Sequence, residues 1–266
     1  MRTLSTSFAV ATVLAVAAPR AHARPEPAKP AVDPAAVAAL RNMGEFLRNQ
    51  QAFSVQARAT TDDVMPSGQK IQYAGSVDLR VRRPDRMRID IAGDRRNERM
   101  YYDGKTFTVF SDKVGYFAAF PAPATLAELK DVLEKRYAID LPLADLFYWG
   151  TDRDGTAALT AATRVGAANI DGFMTDHYAF RQKDVDWELW IEQGGRPVPR
   201  RIVITTVADR SKPQHAMSMN WDLASKFEDQ LFTFVPPANA HQIEFEATRR
   251  AGGNGNGNGN KGGRAP

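Results

Sequence analysis

The feature that most constrains this chain is a two-residue alternation of apolar and polar side chains that recurs from Phe53 to Lys226. Phe53, Val55, Ala57 and Ala59 alternate with Ser54, Gln56, Arg58 and Thr60. Tyr73, Gly75, Val77, Leu79 and Val81 alternate with Ala74, Ser76, Asp78, Arg80 and Arg82, and Met87, Ile89 and Ile91 with Arg88 and Asp90. A period of two sends successive side chains to opposite faces, so each segment reads as a strand with one dry face. Similar patterns occupy 99–102, 106–110, 114–120, 163–170, 176–182, 186–192, 200–207 and 216–226, with turn signals at Arg83-Pro84-Asp85, Asp103-Gly104, Asp171-Gly172 and Gly194-Gly195. Short connections join roughly ten strands only as antiparallel neighbours, and the expected fold is mainly β (α+β) with a strongly curved sheet.

Two segments break the pattern with helical spacing. Asp33 can cap a helix that has Pro34 in its first position and Val37, Leu40, Met43, Phe46 and Leu47 on one face, over 35–51. After Pro121 and Pro123, the residues Leu126, Leu129, Val132 and Leu133 predict a second helix over 125–136, followed by a short apolar segment ending at Gly150. Two or three helices are expected to cover the concave face of the sheet.

Both ends differ in composition from this middle. Arg2, the apolar run Phe8 to Ala18 and the small-x-small triplet Ala21-His22-Ala23 read as a secretory signal peptide, residues 1–23, cleaved after Ala23. The run is too short for a membrane span and is broken by Pro19 and Arg20, so the mature chain is expected to carry no integral span. Residues 24–34 form a Pro/Ala-rich linker, 35–250 one domain, and 251–266 a Gly/Asn-rich tail with nothing apolar to bury. The formal charge of +4 includes Arg2 and Arg20 of the signal segment, which leaves too little excess for a nucleic-acid partner. The chain has no Cys, which removes disulfides, thiol catalysis and lipid attachment at an N-terminal Cys.

Local catalytic motifs are absent. No His-Glu-x-x-His, Gly-x-Ser-x-Gly or Gly-x-x-x-x-Gly-Lys pattern occurs, and His177, His215 and His241 are dispersed. Asp176 and His177 are neighbours in a strand and point to opposite faces, so the carboxylate cannot orient that imidazole directly. Asp152-Arg153-Asp154-Gly155 lacks the later ligands of a calcium loop and reads as a turn. The expectation is a protein that is not an enzyme and uses no cofactor or metal.

The informative residues are those of the dry strand faces. Tyr73, Val77, Leu79, Met87, Ile89, Ile91, Phe107, Val109, Trp187, Leu189, Met217, Met219 and Trp221 converge on one surface if the registers align. That surface is either an ordinary packed core or the wall of a hydrophobic cavity, to which the adaptable Met side chains are suited. On the wet faces, Arg80, Arg82, Arg86 and Arg88 are interspersed with Asp78, Asp85 and Asp90, as on a solvated surface. Trp190 stands among Asp186, Glu188 and Glu192, where an aromatic points to an edge or helix contact or a small interaction patch.

Several stretches resemble a known family together: 81–90 around Arg83-Pro84, Tyr102-Asp103-Gly104-Lys105, 176–182, Asp186-Trp187-Glu188-Leu189-Trp190-Ile191, 197–205 and Phe232-Thr233-Phe234-Val235-Pro236-Pro237. The chain resembles family 2092 of domains of unknown function, a group of predicted periplasmic proteins. The strand-Arg-Pro-strand segment, the Asp-Gly-Lys hairpin and the Phe-Thr-Phe-x-Pro-Pro ending are also similar to the broader group containing the lipoprotein carriers LolA and LolB. That likeness implies an unclosed β-barrel with a helical lid over a hydrophobic cavity, in the periplasm. It implies as ligand a lipid or an acylated protein, with an envelope protein as a further partner. An alternative on the same fold is an envelope interaction or stress-sensor module with a filled cavity and no bound lipid.

Overall fold

The computed structural model describes residues 31–246 apart from Asp152. The expected signal peptide, residues 24–30 of the expected linker, and the tail lie outside the described residues, while Val32 bridges to Ala162 and Asp33 and Pro34 open α1. The chain forms α1 (Pro34–Arg48), β1 (Ala52–Val64), β2 (Lys70–Arg82), β3 (Arg86–Gly93), β4 (Asn97–Tyr102), β5 (Thr106–Ser111) and β6 (Tyr116–Pro121). Then follow α2 (Leu126–Tyr137), β7 (Ala161–Ile170), β8 (Phe173–Arg181), β9 (Val185–Glu192), β10 (Pro199–Thr206), β11 (Gln214–Asp222) and β12 (His241–Ile243). Short 3₁₀ turns at Ala144–Phe147, Thr156–Ala158 and Asp229–Phe232 complete the fold.

All twelve strands belong to one sheet, in the order β12-β6-β5-β4-β3-β2-β1-β11-β10-β9-β8-β7. The sheet is curved and does not close, so the sequence expectation of an unclosed, mainly antiparallel β fold holds. Two details differ. There are twelve strands where about ten were expected, and β12 runs parallel to β6, pairing His241 with Tyr116 through Ile243 with Ala118. A three-residue edge strand is too short to show an alternation, and its partner lies far away in sequence.

The helices start where local chemistry fixes them. Asp33 Oδ1 accepts a hydrogen bond from Ala35 N at 2.9 Å and Pro34 takes the first position, so an otherwise orphaned amide is satisfied. In α2, Thr125 Oγ1 accepts from Glu128 N at 3.3 Å and donates to the Glu128 carboxylate at 2.8 Å. Ala36, Leu40, Met43 and Leu47 of α1 merge with Phe53, Val55, Leu79, Val81, Met87 and Ile89 in one buried cluster that also takes in Leu129 and Leu133 of α2. Helix α1 therefore covers the concave face with one buried stripe, while its opposite side, with Arg41, Asn42 and Glu45, is exposed.

One backbone contact fixes how the covering layer is assembled. A Cβ on Gly44 of α1 would stand 2.3 Å from Gly150 N, and one on Gly150 would stand 2.7 Å from the Gly44 carbonyl carbon. Two glycines thus let α1 touch the segment that follows α2 main chain to main chain. Gly44→Ala forces the two apart and is expected to cost about 1–3 kcal/mol, the range for overpacking. Gly172→Ala, at a positive φ of 90° with nothing near the added carbon, isolates the backbone strain alone, about 1–2 kcal/mol. Urea unfolding of both variants checks the steric part: a Gly44→Ala midpoint equal to wild type would show that this approach is not tight.

Candidate functional site

The inward residues shrink along the central strands. On β1 they run Phe53, Val55, Ala57, Ala59; on β2, Val81, Leu79, Val77, Gly75; on β3, Met87, Ile89, Ile91, Gly93. Register places Gly75 directly opposite both Ala59 and Gly93. Bulk is therefore concentrated at the end covered by α1, and the other end has a bare floor. There the covering layer stands off the sheet and leaves a cavity of about 960 Å³.

The sheet supplies Tyr73, Val77, Ile91, Ile204 and Met217 to its walls, and the segment after α2 supplies Ile139, Leu141 and Leu143. That segment leaves the helix through left-handed residues at Ala138 (φ 51°) and Leu143 (φ 60°). The excursion turns its apolar side chains back toward the sheet. A space of this size with mostly apolar walls falls in the range of small-molecule sites.

Polar groups gather around the cavity, and most of them are paired. Lys130 Nζ lies 3.0 Å from Glu134 and 3.9 Å from the Tyr148 ring centre. Arg95 reaches Asp63 at 3.0 Å and covers the Tyr73 ring at 4.9 Å, and Arg96 lies 3.6 Å from Glu98. His215 Nδ1 is 2.8 Å from Thr61 Oγ1, and burial pushes its imidazole below the ordinary histidine range. Asp145 borders the cavity and stays exposed to solvent, while the protein crowding its carboxyl pushes it above the usual carboxylate range, with Lys130 pulling the other way.

Of the thirteen strand-face residues singled out from sequence, the structure brings Tyr73, Val77, Ile91 and Met217 to the cavity wall. It places Leu79, Met87, Ile89, Phe107, Leu189 and Met219 in the solid core, each at most 2% exposed. Val109, Trp187 and Trp221 pack against that core from its margin. Trp187 stacks on Phe180 with ring centres 4.1 Å apart, and Trp221 Nε1 donates to the Pro199 carbonyl at 2.8 Å. Sequence reading missed Ile139, Leu141, Leu143, Asp145, Ile204 and His215. The signal available for the site was the fall in side-chain size toward Ala59, Gly75 and Gly93.

The other singled-out residues have partners elsewhere. Asp176 holds Arg164 at 2.6 Å and Gln193 at 2.9 Å, whereas His177 Nε2 lies 2.8 Å from Glu188 Oε2, so the two neighbours serve different contacts. Arg80 binds Asp78 and Asp90, Arg82 binds Asp229, Arg86 binds Asp85, and Arg88 binds Asp90. Trp190 stacks on His177 at 4.0 Å. Asp154 of the expected turn caps Thr156 N at 2.9 Å, while Asp152 lies outside the described residues. Among the described residues no group of three His, Asp or Glu is arranged to hold a metal ion.

The Asp145 environment sets a pH dependence. An acid whose pKa is raised by folding binds a proton more tightly in the folded chain. It therefore lowers stability at pH values where the carboxylate is ionised, and has no effect below about pH 4, where both states are protonated. Asp145→Asn is expected to raise the urea midpoint near neutral pH and to leave it unchanged near about pH 3. An unchanged midpoint at neutral pH would show that this carboxyl is freely solvated.

No curated protein matches the sequence. Among solved structures, the chain is similar to the lipoprotein LppX of Mycobacterium tuberculosis at 16% identity, with 74% of this chain and 100% of that one covered and a TM-score of 0.46. LprF of Mycobacterium bovis matches at 13% identity, covering 80% and 100%, with a TM-score of 0.40. A LolA-superfamily protein of Nitrosomonas europaea matches at 14% identity, covering 75% and 97%, with a TM-score of 0.35. Residues 36–246 match the family described as "Predicted periplasmic protein (DUF2092)", and the chain belongs to that family.

Proposed function

We propose that this protein is an exported periplasmic carrier or chaperone that sequesters a lipid, or the acyl chain of a lipidated protein, without covalent chemistry. The observation that carries the reading is the unfilled space of about 960 Å³ in an otherwise solid concave face. Interiors pack densely by default, so a space of this size between the sheet and Ile139, Leu141 and Leu143 marks a place for a ligand. Tyr73, Val77, Ile91 and Met217 are the sheet residues that would contact it. An acyl chain burying about 15 methylenes at ~0.8 kcal/mol each gains near ~12 kcal/mol gross, enough to offset ordering costs and still permit release.

The reading treats 1–23 as a signal peptide removed after Ala23, 24–34 as a linker, 35–250 as the binding domain and 251–266 as a tail. It agrees with a family described as predicted periplasmic. No helix among the described residues is long and apolar enough to cross a membrane. Release then requires the segment after α2 to move, because α1 is locked into the core and α2 borders the cavity only through Lys130 and Glu134.

Native mass spectrometry of the mature protein purified from its own envelope is expected to show a lipid-sized adduct that is lost on denaturation. A bare mass in every preparation, together with no uptake of a fluorescent fatty acid, would sink the carrier reading and favour an envelope interaction module. Ala59→Trp places bulk into the empty floor. It is expected to reduce uptake at least about tenfold, or ~1.4 kcal/mol, without lowering the melting temperature. Unchanged uptake in the folded variant would move the ligand elsewhere.

A further inference from the structure

We propose that the outer face of the sheet carries a second site, a groove for a phosphate ester held between Arg58 and Arg201. The groove has a volume of about 660 Å³; its arginines project from the outer face of the sheet, and it shares Ala59, Ala74, Gly75, Ser76, Ala92 and Met217 with the walls of the cavity. Its polar lining is Arg58 and Thr60 of β1, Ser76 of β2, Arg201 of β10 and Ser218 of β11. The rest is alanine, glycine and one methionine, and no carboxylate lines it.

The register explains why these groups converge. Ser76 is opposite Arg58, Arg58 opposite Ser218, and Ser218 opposite Arg201, forming one row across four strands. Adjacent strands lie about 4.8 Å apart, so the two arginines stand about 10 Å apart at the backbone with the Ser218 hydroxyl between them. Small neighbours leave the space over Ser218 open.

The charge pattern singles these two arginines out. Arg80, Arg88 and Arg99 on the same face each hold a carboxylate, at 2.8, 3.0 and 3.0 Å. Among the described residues, Arg58 and Arg201 have no carboxylate partner. Arg201 is instead steadied by Trp190, whose ring centre lies 5.6 Å from its guanidinium carbon. Trp190 in turn stacks on His177 at an interplanar angle of 7°, and His177 is tied to Glu188. A guanidinium ordered in advance, facing a second one across a hydroxyl, loses little entropy on taking an anion.

The donor count selects the anion. The Ser76 hydroxyl already donates to the Ala92 carbonyl at 3.4 Å. Two guanidinium forks and the hydroxyls of Thr60 and Ser218 still offer more donors than the two oxygens of a carboxylate accept, whereas a phosphate presents three or more oxygens in a tetrahedral array. The groove also exceeds what bare phosphate needs, which leaves room for the organic part of an ester. A soluble phosphomonoester and a phospholipid headgroup share this chemistry.

Titration calorimetry with glycerol phosphate at about 0.15 M salt, and flotation with phosphatidylcholine vesicles with and without phosphatidylglycerol, test the site. Binding to at least one probe is expected, weakened at least about tenfold by Arg58→Gln and by Arg201→Gln, as loss of a charge-assisted bond implies. Arg41→Gln removes the same charge from the exposed side of α1 and is expected to change nothing. Binding of glycerol phosphate without vesicle binding identifies a soluble ester as the ligand. Vesicle binding that needs phosphatidylglycerol and is lost in the groove variants identifies a headgroup. No binding of either probe, an equal loss in Arg41→Gln, or equally tight binding of acetate would overturn the proposal. Thermal melts of all three variants, expected to match wild type, separate lost binding from lost fold. Because Arg58 and Arg201 do not line the cavity, fatty-acid uptake is expected to survive in the groove variants, so this proposal and the carrier reading fail independently.

Discussion

A single curved sheet stays folded in water only if its concave apolar face is covered, and the rest of this structure follows from how that is done. Helix α1 supplies Ala36, Leu40, Met43 and Leu47, all at most 1% exposed, to the deepest part of the curve. It can sit that deep because Gly44 and Gly150 allow main chain against main chain. The segment after α2 is thereby fixed at one end to α1 and extends the cover from there. Beyond the reach of α1, the cover is this thinner segment together with α2. The cavity lies where the strand residues have become too small to fill the space themselves.

The strand faces were legible because a period of two survives any detail of packing. Leu79, Met87 and Ile89 were correctly placed on the inner face by alternation alone. How far a helix extends along that face was not legible. Leu79 and Val77 occupy equivalent positions in the pattern, yet one lies in the solid core and the other lines the cavity. The contribution of 139–145 was hidden for a different reason. Its side chains are aimed by left-handed backbone at Ala138 and Leu143, residues whose types give no sign of that conformation. The edge strand β12 was hidden because a three-residue parallel pairing leaves no periodic trace.

Electrostatics distinguish the two faces of the sheet. Around the cavity, Lys130, Arg95 and Arg96 are each matched by a carboxylate, so the charged groups at its mouth already satisfy one another. Exposed pairs of this kind contribute little to stability, and their effect is to leave the mouth with weak net attraction for free ions. Asp145 is the exception, a carboxyl held in surroundings that disfavour its charge. The outer face is mostly neutralised as well, by Asp78, Asp90 and Asp112, until the row through Ser218, where two arginines are left without acids.

The same sequence choice creates both spaces. Where β1, β2 and β3 pass Ala59, Gly75 and Gly93, their inner face lacks bulk, and the outward neighbours Ala74, Ser76 and Ala92 are small too. Only one layer of backbone separates the cavity from the groove there, and Gly93 approaches β2 so closely that an added Cβ would stand 2.9 Å from the Ala74 carbonyl oxygen. Small residues on both faces at one level of a sheet forgo packing that larger side chains would contribute on either side. In a domain that fills the rest of its concave face with Phe, Met, Leu and Ile, that loss is confined to the level at which both spaces open, and occupation of either one would restore contacts the bare strands lack.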